Sequence, residues 1–334
     1  VVTSHVWEEL RMEGRVASTT EVQDVAATAT AIQRAVGQVI DGKDAAIRLA
    51  ITALLAEAHL LIEDVPGVGK TMLARSLARS IDARASRIQF TPDLLPSDIT
   101  GVSVFNQHTT DFEFKAGGVF AHVVIADEIN RASPKTQSAL LEAMEERRVT
   151  VDGTTHLLPR PFVVVATQNP IEMEGTYPLP EAQRDRFGLR LDMGYPSTEA
   201  EVAMLDHHGD AEPLELLSPV TDAASVNRCI QAVRRVFVHR AVKDYLVAIV
   251  AGTRESADVR LGASPRASLQ LMRAAKARAA VDGRNYVTPD DVQALALPTL
   301  AHRVMLSHEA RMGRRSVAEV VSQIVTAVPL PQRR

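Results

Sequence analysis

The chain has one cysteine, Cys229, in 334 residues, so an intramolecular disulfide and a cysteine-cluster metal site are both excluded. Such sparing use of thiols suits a reducing compartment. Aromatic residues make up only 4% of the sequence, which leaves few platforms on which single-stranded bases could stack. No charge of one sign dominates: 37 basic and 41 acidic residues give a formal charge of −4. A chain balanced in this way has no overall field to draw it onto nucleic acid. Long apolar runs are missing as well. The stretch "AIRLAITALLAEAHLLI" is cut by Arg48 and Glu57, short of the roughly 18 to 20 apolar residues of a membrane span. The N-terminal region lacks the charged-then-apolar pattern of a secretory signal. These absences lead us to expect a cytoplasmic protein without membrane insertion.

What is present is a core-forming composition, 46% hydrophobic and 23% charged, over a length that accommodates about two domains. Residues 1–24 are mixed and polar and are expected to form a weakly ordered leader. Helical spacing of apolar residues runs from Val25 to Val39 and again from about Asp44 to Ala56. Three short apolar strands follow, "HLLIED", "HVVIADE" (122–128) and "FVVVATQN" (162–169), alternating with helical segments. That alternation predicts an α/β core over residues 25–194, a mostly parallel sheet flanked by helices. Ser133 and Pro134 mark the start of the helix "SPKTQSALLEAMEERR". Asp152-Gly153 in "RVTVDGTTHLL" marks a tight hairpin. Near residue 195 the pattern turns to helices, one with a capping-box start at Thr288, Pro289 and Asp291. Residues 195–334 are therefore expected to form a helical second domain.

One further absence is local. Residues 62–75 read "IEDVPGVGKTMLAR", close to the phosphate-loop pattern Gly-x-x-x-x-Gly-Lys-[Ser/Thr], but Asp64 stands where the first glycine belongs. That glycine serves the sharp exit from the strand, and Asp tolerates such backbone because its short side chain bonds locally. The groups that hold phosphate are intact. They are the successive backbone N–H groups from Gly67 to Thr71, within the candidate loop Pro66, Gly67, Val68, Gly69, Lys70, Thr71 and Met72, together with the helix N-terminus behind it and the Lys70 ammonium. Thr71 is placed to ligate Mg²⁺. A strand ending in Asp127 brings a second oxygen ligand to the ion, and Glu128 beside it can take a proton from the attacking water or orient it. Asn169, just after "VVVAT", would offer a neutral amide to the γ-phosphate or the water. The guanine signatures Asn-Lys-x-Asp and Asp-x-x-Gly after the metal strand do not occur, so ATP is the expected nucleotide.

The segments "LLIEDVPGVGKT", "ADEINRASPKTQSALLEAMEERRVTVDG", "ATQNPIEMEGTYPLPEAQRDRF" and "GASPRASLQLMRAAKARA" together resemble the MoxR family of AAA+ ATPases over most of residues 38–304. In that family "EDVPG" is the usual wording, Asp64 included. The resemblance implies a homo-oligomeric ring, hexameric in the family, with ATP between subunits. It implies a helix-2 insert hairpin at "VSVFNQHTTDFEFKAGGVF", a hairpin before sensor 1 at "RVTVDGTTHLLP", and an all-helical lid. Lys70 and Thr71 then correspond to Walker A, Asp127 and Glu128 to Walker B, and Asn169 to sensor 1. Arg186 in "DRF" resembles the arginine finger that reaches a neighbour's γ-phosphate, with Arg184 and Arg131 as other candidates. Arg266 in "SPRA" resembles sensor 2, contacting the same nucleotide from the lid, and Val39, Ile40 and Gly42 resemble the box beside adenine. Family members remodel or mature protein complexes, often with a von Willebrand factor A-domain partner. The hairpins hold little basic charge, Lys115 and Arg148, which suits a protein client better than nucleic acid. A metal-chelatase motor subunit and a nucleic-acid motor or loader on the same ring are the alternatives. His207, His208 and His302 lack metal spacing and read as surface or capping residues. Cys229 reads as core, and "VRRVFVHR" as a solvated helix side or an intersubunit patch.

Overall fold

The computed structural model describes residues 16–168, 177–199, 201–202 and 213–331. Its centre is a five-stranded parallel sheet of β1 (Leu60–Glu63), β2 (Ala85–Gln89), β5 (Val123–Asp127), β8 (Val163–Gln168) and β9 (Leu189–Leu191), in the order β2-β5-β8-β1-β9. All five residues of β5 and the first five of β8 are buried, as a sheet covered on both faces requires. The two-residue period of a strand divides them cleanly between two cores. Leu60, Ile62, Val123, Ile125, Val163 and Val165 face one, while Leu61, Val124, Ala126, Val164 and Ala166 face the other.

The first core is closed by α1 (Thr19–Gly37), α2 (Asp44–Leu55) and α3 (Lys70–Ser80). The second is closed by α4 (Pro96–Thr100) and α5 (Pro134–Glu146). Ser133 caps α5 by accepting from Thr136 N at 3.3 Å, as its sequence predicts. Two antiparallel hairpins project from this side, β3 (Val102–Asn106) with β4 (Asp111–Lys115), and β6 (Arg148–Val151) with β7 (Thr154–Leu157). The second turns at Asp152 and Gly153, with φ of 49° and 80°, the left-handed pair such a tight turn needs. Phe114 of β4 stacks on His156 of β7 with ring centroids 3.8 Å apart, which ties the hairpins together.

After the short α6 (Glu181–Arg184) and β9, the described chain continues as α7 (Pro213–Leu216), α8 (Ala223–Arg234), α9 (Arg240–Glu255), α10 (Pro265–Val281), α11 (Pro289–Leu300), α12 (His308–Met312) and α13 (Val317–Ala327). To these helices the structure adds a small ribbon of β10 (Val259–Leu261) and β11 (Met305–Leu306). Helix α10 runs through the middle, where its buried Ala267, Ala274, Ala275, Ala277, Ala279 and Ala280 let neighbouring helices approach closely. Most of the helical region shares the first core, since Leu271 and Val292 belong to the same cluster as Ile62 and Leu73, while Leu306, Ala310 and Val320 form a small cluster apart. None of the described helices is long and apolar enough to cross a membrane.

Three expectations need correction. The leader is shorter than residues 1–24, because Ser18 and Glu21 form a capping box and helix α1 starts at Thr19, not near Val25. Ala17 and Val22 are already buried; residues 1–15 lie outside the described residues. "VRRVFVHR" is not one helix side but the join between α8 and α9, with Arg234, His239 and Arg240 exposed. Arg234 pairs with Glu57 and Arg235 with Glu21, while Val236 and Val238 are core. His302 is 2% exposed, and its Nε2 lies 2.9 Å from Phe187 O. Cys229 is buried as expected; His207 and His208 lie outside the described residues.

His59, just before β1, is fully used as a neutral ring. Its Nδ1 accepts from Val164 N at 3.0 Å, which leaves the proton on Nε2 to reach Met144 O at 3.1 Å. Burial pulls its pKa from 6.5 down to about 4. As pH falls the unfolded chain takes this proton first, so the contribution is complete above pH 6.5 and is lost on the way down to about 4. The loss amounts to something on the order of 3 kcal/mol. Urea midpoints should therefore fall through this window more steeply in the parent than in a non-titrating His59→Gln variant; parallel curves would show that His59 carries no such linkage.

Candidate functional site

The phosphate loop sits at the C-terminal end of β1, where the chain turns into α3. Gly67 and Gly69 have φ of 83° and 87°, in the region that favours glycine. A Cβ built on Gly67 would meet nothing within 4 Å, so it is the backbone conformation and not crowding that favours glycine there. The first amides of α3 have no acceptor within the helix, and its N-terminus favours negative charge. Together these make an anion cradle of phosphate size. Lys70 Nζ donates to Asp64 O at 2.6 Å across the mouth of the loop.

Asp64 has a different use from the one its sequence position suggests. Its φ is not positive, so no left-handed exit from the strand is needed. Its carboxylate instead accepts from Val65 N at 2.8 Å and from Gly194 N at 2.5 Å, which fastens the loop to the segment after β9. Lys43 reaches the same segment, donating to the carbonyls of Met193, Gly194 and Tyr195 at 2.8–3.0 Å. The turn after α1, with Val39, Ile40 and Gly42, is thereby held beside the loop. Ile40, Val68 and Met193 belong to the first core, and Val39 and Met72 pack against it partly buried. Pro66 lies in the phosphate loop itself, between β1 and α3.

The acids stand two strands away, at the C-terminal tip of β5. Asp127 is 4% exposed and draws three donors: Thr71 Oγ1 at 3.2 Å, Thr167 Oγ1 at 3.2 Å and Arg87 Nε at 2.7 Å. A carboxylate and a hydroxyl in contact at the mouth of a phosphate cradle form the hard oxygen set that Mg²⁺ takes. Thr71 and Asp127 thus fit the ion expected from the sequence. Glu128 follows in a left-handed conformation, φ 55°, and its backbone N–H gives to Thr167 Oγ1 at 3.0 Å. Its carboxylate accepts from Gln89 Nε2 and from Arg131, each at 2.9 Å. Arg131, one of the three finger candidates, is therefore engaged three residues from its own Glu128. Asn169 lies outside the described residues. Sequence reading missed Arg87, Gln89 and Thr167, whose only signal is a polar residue at a strand end.

The other arginines gather at the opposite edge of the sheet. β9 pairs with β1 from Leu189 opposite Leu60, so Arg186 lies before the N-terminal ends of both strands. It approaches Glu145, near the end of α5, at 3.3 Å, and Arg266 pairs with the same carboxylate. Arg147 and Arg273 complete the wall of a cavity of about 190 Å³ around Arg186, Glu145 and Arg266. Arg184 is half-buried and is the least of the causes that depress the pKa of His302, after the burial of that ring, Arg303 and Arg190. A strand of four residues spans about 13 Å, which separates Arg186 and Arg266 from the Lys70 cradle of their own chain.

A phosphate cradle, an acid pair on a parallel sheet and a helical lid define an ATPase of the AAA class. Residues 59–189 match the family described as "ATPase family associated with various cellular activities (AAA)", and residues 251–324 match an AAA lid domain. The chain is 41% identical to Chaperone MoxR1 of Mycobacterium tuberculosis over 93% of its own length and 85% of that protein. It is 52% identical to the uncharacterised YeaC of Bacillus subtilis over 90% and 93%. A candidate ATPase of known structure from Cytophaga hutchinsonii superposes with a TM-score of 0.86 at 34% identity, covering 97% of this chain and 99% of that one. The chain belongs to the MoxR family of AAA+ ATPases, and it hydrolyses ATP.

Arg87 offers a test of the metal site that does not depend on turnover. Its guanidinium balances Asp127, and a buried carboxylate left without its cation is destabilising. Arg87 is more than half exposed, so the loss on Arg87→Met should be about 1–2 kcal/mol. Millimolar Mg²⁺ without nucleotide should raise the melting temperature of Arg87→Met by more than that of the parent. Equal rises would show that arginine and ion do not share the carboxylate.

Proposed function

We propose that this MoxR-type ATPase works as a homo-oligomeric ring, hexameric on the family pattern, with each ATP at a seam between two copies. The observation that carries this reading is the separation within one chain. Lys70, Thr71, Asp127 and Glu128 stand at the C-terminal edge of the sheet, whereas Arg186 and Arg266 stand at the N-terminal edge on Glu145. A neighbour that presents its arginine edge to the cradle completes the site.

In that seam the loop amides and Lys70 hold the β- and γ-phosphates, while the cluster around Val39, Ile40 and Met72 receives the base. Thr71 and Asp127 hold Mg²⁺, which spreads the phosphate charge when bound. Glu128 orients the attacking water or takes its proton, once its carboxylate turns from Gln89 and Arg131. Asn169 takes the sensor 1 role that the family pattern gives its position in the sequence. Arg186 of the neighbour serves as finger in preference to Arg131, which lies at the cradle edge of the sheet on Glu128, and Arg184, whose Nε is buried. Arg266 of the same neighbour joins it. Hydrolysis then shifts lid against core, and the motion remodels or matures a protein complex. The chaperone designation of the MoxR1 relative supports that part. The hairpins support a protein client: Phe105, Phe112 and Leu157 are 50%, 68% and 79% exposed. Lys115 and Arg148 are the only lysine or arginine in the two hairpins. A von Willebrand factor A-domain protein is the partner expected on the family pattern.

Glu128→Gln should bind ATP with parental affinity and turn it over about 10²- to 10⁴-fold more slowly. Unchanged steady-state hydrolysis would remove Glu128 from the role. The seam itself is tested by mixing. Lys70→Ala should lose ATP binding, and Arg186→Ala should lose about 10³-fold or more in turnover. Each protein is inactive alone, but the mixture should regain activity wherever an intact cradle faces an intact arginine edge. A mixture as inactive as its parts would contradict action across a seam.

A further inference from the structure

Arg186 and Arg266 converge on one carboxylate although they are carried on different segments of the chain. Arg186 precedes β9, and Arg266 lies in the first turn of α10. Neither segment alone fixes the distance between them. A buried joint does.

Arg303, just after α11, has a side chain only 1% exposed. A guanidinium has five N–H donors in a fixed plane, and here every one finds an acceptor. Nε gives to Asp185 Oδ1 at 2.8 Å. One terminal nitrogen gives to Asp185 O at 3.0 Å and to Phe187 O. The other gives to Gly188 O at 3.3 Å and to Thr299 O. Three of these acceptors are main-chain carbonyls of residues 185–188, the segment that carries Arg186. The second oxygen of Asp185 accepts from Ser264 Oγ at 2.8 Å. That hydroxyl is also the N-cap of α10, accepting from Arg266 N at 3.2 Å. His302 adds its contact to Phe187 O from the same side.

The carboxylate of Asp185 therefore bridges the backbone that presents Arg186 and the cap that presents Arg266. A buried ion pair is a poor means of adding stability, because well-packed apolar residues often serve as well. What a planar fork on three carbonyls adds is geometry. We propose that Asp185, Arg303 and Ser264 are positioning residues: they set the spacing of Arg186 and Arg266 so that both meet one anion. In the isolated chain that anion is Glu145; in the assembled form it is the terminal phosphate of the nucleotide held by the adjacent copy. This rests on the seam reading above.

Arg303→Lys keeps the charge and loses the fork. Turnover by the full-length assembly should fall about 10- to 100-fold, as small misplacements of a catalytic group do. The KM for ATP and the affinity for a fluorescent ATP analogue should stay within about twofold, because the variant's own cradle lies at the other edge. Mixed with Lys70→Ala subunits, whose arginine edge is intact, Arg303→Lys should regain activity; a merely structural lesion would not be cured in this way. Asp185→Asn should behave alike. Parental turnover in both variants would overturn the proposal. So would a mixture that stays inactive while the Arg186→Ala and Lys70→Ala mixture recovers, since the damage would then lie in the variant's own nucleotide site. If that control mixture fails as well, the seam reading falls and the positioning role falls with it. Should Arg303→Lys and Asp185→Asn not fold, Ser264→Ala carries the test, with a smaller loss of about 3- to 10-fold and the same recovery on mixing; parental turnover there would overturn the proposal.

Discussion

Parallel pairing of β1 with its two neighbours is the constraint on which the rest depends. In an all-parallel sheet every strand ends at the same edge, so loops that follow strands gather on one side and segments that precede them on the other. Lys70 follows β1, Glu128 follows β5, and Asp127 is the last residue of β5. Arg186 precedes β9, and Glu145 lies near the end of a helix that runs back to where the strands begin. The register Leu60 opposite Leu189 leaves no freedom to slide the two sets together. On the proposed reading the chain carries both halves of a nucleotide site and cannot close them on each other.

Each half is electrically settled in the meantime. Lys70 gives to a carbonyl of its own loop, Asp127 takes Arg87, Glu128 takes Gln89 and Arg131, and Glu145 holds both far-edge arginines. Among the described residues, each charged side chain proposed to meet phosphate, metal or water already has a protein partner. Binding then exchanges one set of polar contacts for another, and exchanges of that kind change free energy by modest amounts, about 0.5 to 1.5 kcal/mol per hydrogen bond. Small differences between the two sets are what allow a site to open and close repeatedly. The desolvation of an orphaned carboxylate is avoided at each stage, which matters most for the buried Asp127.

Much of this was legible in the sequence where the signal is local. The phosphate loop, the strand ending in Asp127 and Glu128, the cap at Ser133 and the turn at Asp152-Gly153 each depend on residues a few positions apart, and each stands where it was expected. Strands β2 and β9 escaped notice because "ASRIQ" is largely exposed and "LRL" is only three residues long. The capping box at Ser18 and Glu21 was local too, but it was hidden by the polar run around it. What could not be read was the company kept by charged residues. Arg87 on Asp127, Gln89 on Glu128 and Arg303 on the carbonyls of 185–188 join residues far apart in the chain, and no spacing rule encodes such meetings. The same holds for Arg266. Its place on a lid helix was clear from Ser264-Pro265, but its pairing beside Arg186 follows from how α10 packs against the far edge of the sheet.

The proposal of a site divided between two copies makes catalysis a property of contact between them. The most direct measurement is specific ATPase activity across a dilution series, with the assembly state followed in parallel by analytical ultracentrifugation. Specific activity should rise with concentration as single copies assemble and fall toward zero where only single copies remain. Constant activity per chain down to fully dissociated protein would contradict the shared site.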